Sequence, residues 1–327
     1  MDKSVADLIE RAKDVSINGG LIDRDTIIAL LSIDPDSEEC MYLGEAARES
    51  ARTLVGNKAR VGTSIGLDLA PCSASCEFCS LGEKWGLIKE CAEISDDTVM
   101  RIIREKREEG YFQFTLRTTE YYDIDRLCRF GRRVRDEIPG DYFLTANTGE
   151  LTVDDAKHLY DSGFTGVYHV PRLGEGRYTP FSVTERIQTM RNAKKGGLLL
   201  STGLDPIGIE FTDEELADKI IELREEDPAG ICVMKRESVI GTPLGDMDEI
   251  SENRHAQITA VVRLASKGSI AIHPAFQRGF DFGANNAAAE IGATPRKDSD
   301  NLSDWIYTHD DIYKMMSKAG YEVLMRK

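Results

Sequence analysis

Three cysteines lie within eight consecutive positions, in the stretch LDLAPCSASCEFCSLGEKWG of residues 67–86. They are Cys72, Cys76 and Cys79, and the chain has only four others among its 327 residues. A Cys-x3-Cys-x2-Cys loop can wrap three thiolates around one corner of an iron–sulfur cubane. The fourth iron is then left without a protein ligand and can bind a small chelating molecule. The spacing therefore predicts a cluster that binds a ligand, not one that only passes electrons.

Two other interpretations of these cysteines stay open. The first is a structural zinc with Cys91 as a distant fourth ligand, although zinc sites usually consist of two CxxC-like pairs and the gap from Cys72 to Cys76 is longer. The second is that the three are unrelated core residues. The surrounding serines, glutamates and glycines disfavour this second interpretation because they make a polar loop.

The elements around this loop alternate between short β-rich runs and longer helical patterns. Between the runs, apolar residues recur at three- and four-residue spacing, and several segments open with a Ser, Thr or Asp cap. The eight runs are ARVGTSIGL, YFQFTLRT, DYFLTAN, FTGVYHV, GLLLSTG, AGICVMK, SIAIHPA and NAAAEIG. Eight β–α units predict an α/β fold, a (β/α)8 TIM-type barrel, with an open doubly wound sheet as the competitor. The cysteines follow the first run, on the rim where barrels of this kind carry their chemistry.

The start of the chain is helical in pattern, at about residues 3–15, 23–33 and 37–56. No Pro-, Gly- or Ser-rich linker interrupts the later β–α series. We therefore predict a helical N-terminal extension over residues 1–58 and one catalytic barrel over residues 59–327.

Charge and hydropathy limit the partners and the location. The chain has 41 basic and 57 acidic residues, a net charge of −16, which argues against nucleic acid or an anionic membrane surface. The N-terminus MDKSVADLIERAKD lacks the apolar run of a signal peptide. No apolar stretch approaches the roughly 18 residues that span a bilayer. We expect a cytoplasmic protein, in which cysteines serve as thiols or metal ligands more often than as disulfides.

The cysteine spacing, with Phe78 just before the third cysteine and the loop just after strand one, resembles the radical S-adenosylmethionine (SAM) superfamily. The course from about residue 20 to 292 is similar to its biotin synthase branch, which includes methylornithine synthase and the hydrogenase-cofactor maturases. The resemblance implies a 4Fe–4S cluster on Cys72, Cys76 and Cys79, with SAM chelated at the open iron. It further implies reductive cleavage to a 5′-deoxyadenosyl radical, and an electron donor such as ferredoxin or flavodoxin.

The resemblance extends to the turn after strand two. Members of the superfamily have a Gly-Gly-Glu-like turn there, which holds the methionyl ammonium of SAM. The matching residues are Thr118, Thr119 and Glu120. The glycines are replaced but the acid is kept, so the resemblance implies that Glu120 binds the ammonium. The alternative role of Glu120 is that of an acid favoured by the dipole at a helix start.

The stretch after strand four, YHVPRLGEGRYTP, is shorter than in the branch. Arg177 is the match for the arginine that meets the methionyl carboxylate, while Val170 stands at the glutamate position. Tyr168 and His169 lie where the adenosyl group would be approached, and either one is alternatively a packed wall residue. Asn147, at the end of strand three, is a further candidate for a polar contact to the adenosyl group.

A second, sulfur-donating cluster of the biotin synthase type would need ligands on the barrel strands. Biotin synthase has cysteines there and an arginine on strand seven. Alignment of the strands places Thr115, Ala146 and Leu200 or Ser201 at the cysteine positions and Ile272 or His273 at the arginine, and none of them is a cysteine. Three of the remaining cysteines fall in helical patterns and only one on a strand; they are Cys40, Cys91, Cys128 and Cys232. They resemble small buried hydrophobic residues. Biotin synthesis is therefore disfavoured.

The strand ends MKRES, HPAFQRG and AEIGATPR predict a polar barrel mouth. Arg236, His273, Arg278 and Glu290 are the candidates for binding a substrate that bears carboxylate, amino or other polar groups. Each is alternatively a capping or salt-bridge residue. Three hypotheses follow: a radical SAM enzyme acting on an amino-acid or cofactor precursor, a sulfur-inserting enzyme of the biotin or lipoyl type, and a non-catalytic metal- or cluster-binding scaffold.

Overall fold

The computed structural model describes residues 2–268, 270–274, 276–292 and 307–326. Three helices come first: α1 (Lys3–Ile17), α2 (Arg24–Leu31) and α3 (Glu38–Val55). Each begins at a side chain that accepts a backbone N–H of the first turn, and these caps are Asp2, Asp23 and Ser37. α3 ends at Gly56, whose φ of 62° is the left-handed conformation that stops a helix.

Eight strands then form one parallel sheet. They are β1 (Lys58–Gly66), β2 (Gln113–Arg117), β3 (Phe143–Asn147), β4 (Gly166–Tyr168), β5 (Leu199–Ile207), β6 (Gly230–Lys235), β7 (Ala271–His273) and β8 (Asn286–Ile291). The order is β8-β1-β2-β3-β4-β5-β6-β7, and all pairs are parallel. All eight predicted runs are strands. The nearly closed barrel confirms the (β/α)8 prediction over the doubly wound sheet.

Side chains close the barrel between β7 and β8, which do not pair as strands. Asn285 donates its backbone N–H to the carbonyl oxygen of Ile272 at 3.0 Å, and its Oδ1 accepts the N–H of Ile272 at 3.0 Å. The buried guanidinium of Arg263 donates to the same Oδ1 at 2.7 Å. The backbone N–H and the side-chain oxygen of Asn285, the latter fixed by Arg263, thus take the place of a strand ladder.

Helices cover the outside of the barrel. They are α4 (Asp96–Glu109), α5 (Ile124–Glu137), α6 (Val153–Asp161), α7 (Val183–Lys195), α8 (Asp213–Glu225), α9 (Glu252–Ala265), α10 (Gln277–Asp281) and α11 (His309–Lys318). The last segment, Glu322–Val323, pairs with the start of β1. No helix in the described ranges is long and apolar enough to cross a membrane.

The N-terminal helices pack against the barrel helices α8 and α9. The Gln257 side-chain amide donates to the carbonyl oxygens of Leu30, Leu31 and Ile33 at 2.7–3.1 Å. An Arg24–Asp218 ion pair at 2.5 Å joins α2 to α8. The predicted boundary between residues 58 and 59 falls at the start of β1.

Strand register separates the lumen from the outer core. Phe114, Leu144 and Val167 lie in the hydrophobic core under the helices. Their neighbours along each strand therefore point inward, because successive side chains alternate. Of the positions compared with a second cluster, Thr115, Ser201 and His273 are on the inward face, whereas Ala146, Leu200 and Ile272 belong to the outer core.

Candidate active site

The cysteine loop leaves the C-terminal end of β1 and is closed at its base by a short antiparallel ladder. Asp68 and Leu69 pair there with Glu93 and Ala92. Leu67 fixes the ladder to the barrel, since its N–H donates to the carbonyl oxygen of Arg117 at 2.7 Å and its carbonyl oxygen accepts the N–H of Ile94 at 3.0 Å. The loop is therefore anchored on the rim of β1 and β2.

Backbone hydrogen bonds fold the loop around its three cysteines. The N–H of Cys72 donates to the carbonyl oxygen of Leu81 at 2.7 Å, and the N–H of Cys79 donates to that of Cys76 at 2.9 Å. Trp85 donates its Nε1 proton to the Cys76 carbonyl oxygen at 3.2 Å and packs where a side chain at Gly82 would stand. Cys76 is buried, whereas Cys72 and Cys79 are half-buried.

Without a bound metal, burial favours the protonated form of the loop thiols. Burial raises the pKa of Cys76 to about 12 and also raises that of Cys72, and a bound cation would favour the thiolates instead. Within the described part of the chain, no three His, Cys, Asp or Glu side chains converge closely enough to share one metal ion. Each cysteine of a cubane binds a different iron, so a cluster does not require such convergence.

The turn after β2 is held by the base of the cysteine loop. Asp68 accepts the N–H of Thr119 at 2.8 Å and its hydroxyl at 2.5 Å. Thr118 donates its N–H to the carbonyl oxygen of Asn147 at 2.9 Å, at the end of β3. Thr118, Thr119, Glu120 and Asn147 therefore lie close together beside the base of the cysteine loop.

Glu120 belongs to an acidic cluster around one arginine. The guanidinium of Arg186, on α7, lies 2.9 Å from Glu120, 3.0 Å from Glu150 and 3.3 Å from Glu175. Its side chain is 6% exposed and that of Glu175 is 0% exposed. With three carboxylates against one guanidinium, the cluster has an excess of two negative charges and attracts a cation. His169 joins it through a 3.4 Å contact with Glu150.

The side chain of Arg177 turns toward α8, although its neighbour Tyr178 accepts the N–H of Glu77, in the cysteine loop, at 2.9 Å. Its guanidinium pairs with Glu215 on α8 at 3.0 Å and lies over the rings of Tyr178 and Phe211. The side chain is 46% exposed. The acidic first turn of α8 thus holds the guanidinium of Arg177, so these contacts do not support the predicted role of Arg177 at the methionyl carboxylate.

Arg172 is the arginine that the loop after β4 turns toward the cysteines. It lies 5.8 Å from the ring centre of Phe78 and 3.8 Å from Asp205. Asp205 in turn accepts the hydroxyl proton of Tyr168 at 2.7 Å. Sequence reasoning missed Arg172 and Arg186. The signal for Arg172 was its position four residues after β4, closer to the strand end than Arg177.

The inner wall of the barrel is polar. Arg117, at the end of β2, faces Glu290 of β8 at 3.5 Å, so the predicted Glu290 is in the lumen. His273 and Cys232 occupy paired inward positions of β7 and β6. Burial lowers the pKa of His273 to about 4, and Arg60 adds to the effect, so the imidazole is neutral at pH 7.

The other two predicted substrate-binding residues lie elsewhere. Arg236 is 1% exposed and donates to Glu210 and to the carbonyl oxygens of Leu244 and Asp248, so its guanidinium holds the loop after β6. Arg278 begins α10 and donates to the sulfur of Met41 on α3. Both predictions that these arginines face the pocket are therefore unsupported.

The four remaining cysteines do not gather at one place. Cys40 and Cys128 are buried in α3 and α5 as predicted, and Cys232 is on β6. Cys91 is exposed and precedes the short strand Ala92–Glu93, so the prediction of a helical position for it is wrong. The next two residues, Ala92 and Glu93, form the antiparallel ladder with Leu69 and Asp68 at the base of the cysteine loop.

Comparisons with known proteins agree with this picture. The sequence is 26% identical over 317 residues to a biotin synthase of Clostridium botulinum, covering 94% of this chain and 96% of that protein. It is 28% identical over 244 residues to a biotin synthase of Saccharopolyspora erythraea, covering 72% and 68%. No family model matches the chain.

Two solved structures share the fold. Methylornithine synthase matches with a TM-score of 0.80 at 18% identity, over 96% of this chain and 97% of that one. A maturase of the FeFe-hydrogenase from Carboxydothermus hydrogenoformans matches with a TM-score of 0.76 at 13% identity, over 99% and 85%. Together these findings confirm the resemblance of this chain, along nearly its whole length, to the biotin synthase-like branch of the radical SAM superfamily, and they indicate an enzyme.

Proposed function

We propose that this protein cleaves SAM reductively at a 4Fe–4S cluster and uses the resulting radical on a small polar substrate, an amino-acid or cofactor precursor. The observation that carries the proposal is the anchored loop that holds Cys72, Cys76 and Cys79 on the barrel rim, directly above a polar lumen. The cluster, when bound by these three cysteines, supplies one electron at low potential and an iron site for SAM. A cytoplasmic electron donor such as ferredoxin or flavodoxin would serve as partner.

The side chains next to the loop suit the two charged ends of SAM. The acidic cluster of Glu120, Glu150 and Glu175 carries more negative charge than Arg186 neutralises, so it attracts the ammonium. Arg172 is the cation on the cysteine side and would bind the carboxylate in place of Arg177. Two fixed charges orient the sulfonium before any bond breaks.

The inner wall favours a substrate that carries both kinds of charge. Arg117 and Glu290 lie across from each other in the lumen, and His273 adds a neutral polar group. A zwitterion such as an amino acid can replace this internal ion pair, because its carboxylate can pair with Arg117 and its ammonium with Glu290. The inward positions Thr115, Ser201 and His273 offer hydroxyl and imidazole groups to the rest of the molecule.

Sulfur insertion is the second candidate, and the biotin synthase relatives are the observation that favours it. Ligands of a donor cluster must face the lumen within reach of the radical. Cys232 is the one spare cysteine there among the described residues, whereas Cys40 and Cys128 are buried in outer helices. One thiolate cannot hold a second cluster alone, so we place this function behind the first.

The test is anaerobic reconstitution with iron and sulfide, followed by iron counting and chromatography of SAM products under dithionite. We expect about four irons per chain and formation of 5′-deoxyadenosine. Cys76→Ala should lose the brown chromophore and all SAM cleavage, whereas Cys128→Ala, which removes a buried cysteine of α5, should keep both. A wild-type protein that binds redox-silent zinc through these cysteines would show the proposal to be wrong.

A further inference from the structure

A tyrosine, an aspartate and a cysteine meet on three neighbouring strands of the inner wall. Tyr168 ends β4, Asp205 is in β5 and Cys232 is in β6. The hydroxyl of Tyr168 donates to Asp205 Oδ2 at 2.7 Å. The roles proposed for the cluster and for the charged ends of SAM use Arg172, Glu120 and the loop cysteines. None of these roles uses the phenol of Tyr168 or the thiol of Cys232.

The barrel is built to leave room for this group. Gly203 pairs with Cys232 across β5 and β6, and a Cβ at Gly203 would lie 2.5 Å from the Tyr168 hydroxyl and 2.9 Å from Asp205 Oδ2. Alternation along β5 places Ser201, Gly203 and Asp205 on the same inward face, because Leu200 and Leu204 belong to the outer core. Any larger residue at 203 would separate the three side chains.

Both reactive groups keep their hydrogens. Burial raises the pKa of the Cys232 thiol above its usual value and Asp205 adds to this rise, while a hydrogen bond with Tyr168 opposes it. Burial, with the charge of Asp205, likewise raises the pKa of Tyr168. At neutral pH the lumen therefore holds one S–H and one phenolic O–H side by side.

The same group connects to the cysteine loop. Arg172 lies 3.8 Å from Asp205 on one side and 5.8 Å from the ring centre of Phe78 on the other. Phe78 stands between Cys76 and Cys79 in the sequence. The phenol and the thiol are thus on the side of the lumen that faces the proposed origin of the radical.

We propose that Tyr168 and Cys232 form a hydrogen-atom donor inside the barrel, one that exchanges with solvent and quenches a carbon radical. The S–H and phenolic O–H bonds are weaker than the C–H bond that is formed, so the transfer is downhill. The hydrogen atom goes to carbon, and the unpaired electron stays on sulfur or the phenolic oxygen. One electron from the external low-potential reductant and one proton from water then restore the donor. The proposal rests on the proposed function, because the carbon radical must be made first.

The experiment needs no substrate. The reconstituted protein is given SAM and dithionite in D2O, with no added thiol, and the 5′-deoxyadenosine is analysed by mass spectrometry. We expect one deuterium in most of the product of the wild type, taken from the exchanged donor. The near-isosteric double variant Tyr168→Phe/Cys232→Ser should lower the labelled fraction at least tenfold. Cys128→Ser, a matched change outside the lumen, should keep the label.

A spectroscopic measurement accompanies the isotope test. Samples frozen during the reaction should show an organic radical by electron paramagnetic resonance, with hyperfine structure that changes in protein grown on ring-deuterated tyrosine, and the double variant should lack it. Unlabelled 5′-deoxyadenosine from the wild type, or a double variant labelled as fully as the wild type, would contradict the donor alone. A wild type that forms no 5′-deoxyadenosine would contradict both the donor and the proposed function.

Discussion

At the scale of single residues, the site depends on which charged side chains the loops turn inward. Arg172 and Arg177 lie five positions apart in the same loop, and the nearness of Arg172 to the end of β4 is the one difference that the sequence offers. Glu215, in the first turn of α8, pairs with Arg177, whereas Asp205 faces Arg172 near the cysteines. A partner supplied by another element therefore decides which arginine belongs to the site.

This difference gives a prediction for SAM binding. Arg172→Ala should weaken SAM affinity by about 1.5–3 kcal/mol, the usual worth of a hydrogen bond to a charged group. Arg177→Ala should change it little, because exposed ion pairs contribute little. Equilibrium dialysis of the reconstituted protein with labelled SAM measures both. Equal losses in the two variants would contradict our assignment of the carboxylate ligand.

At the scale of elements, buried side chains link helices to strands, and the charge state of such a side chain affects the stability of the fold. His255, on α9, is 7% exposed; its Nε2 lies 2.6 Å from the carbonyl oxygen of Val233 in β6, and its ring stacks on Phe276. Burial lowers the pKa of His255 to about 4, from an ordinary value of 6.5. The folded protein thus keeps this imidazole neutral where the unfolded chain already binds a proton.

Stability should therefore fall on acidification. Between pH 6.5 and about 4 the unfolded state binds more protons than the folded state, so the free energy of unfolding decreases as pH falls through this window. The full effect of one such histidine is at most about 3 kcal/mol. Urea unfolding at several pH values should show a shallower slope for His255→Gln.

At the scale of the whole molecule, the periodicity of the sequence was enough to predict the barrel. The eight strands and the six helices α4 to α9 follow from hydrophobic periodicity and caps, because burial on one face imposes a period on the residues, whereas the short helix α10 was not predicted. The loop of Cys72, Cys76 and Cys79 was predictable from spacing. The placements of Arg236, Arg278 and Cys91 were not, because each depends on tertiary contacts such as those of Arg236 with Glu210.

The position of the spare cysteines gives a test on this scale. The combined variant Cys40→Ala, Cys91→Ala and Cys128→Ala should keep about four irons and its production of 5′-deoxyadenosine, because none of the three faces the lumen. Cys40→Ala and Cys128→Ala remove only small buried groups from outer helices. A loss of about four irons, measured against the wild type reconstituted in parallel, would favour the sulfur-inserting alternative.

Because of the closure at Asn285, the hydrogen bonding between neighbouring strands is not equally strong all the way around the barrel. Seven pairs of neighbouring strands are joined by ladders that must break cooperatively, whereas β7 and β8 are joined through one residue, Asn285, by its backbone N–H and its side-chain oxygen. Slow local opening of the barrel should therefore start between β7 and β8. The gap that forms there would let substrates enter the lumen through the barrel wall. Asn285→Ala should speed deuterium uptake by backbone amides of β7 more than by those of β2, whereas Asn253→Ala on the surface of α9 should alter neither. Uniform uptake around the ring in both variants would mean that the barrel opens only as a unit.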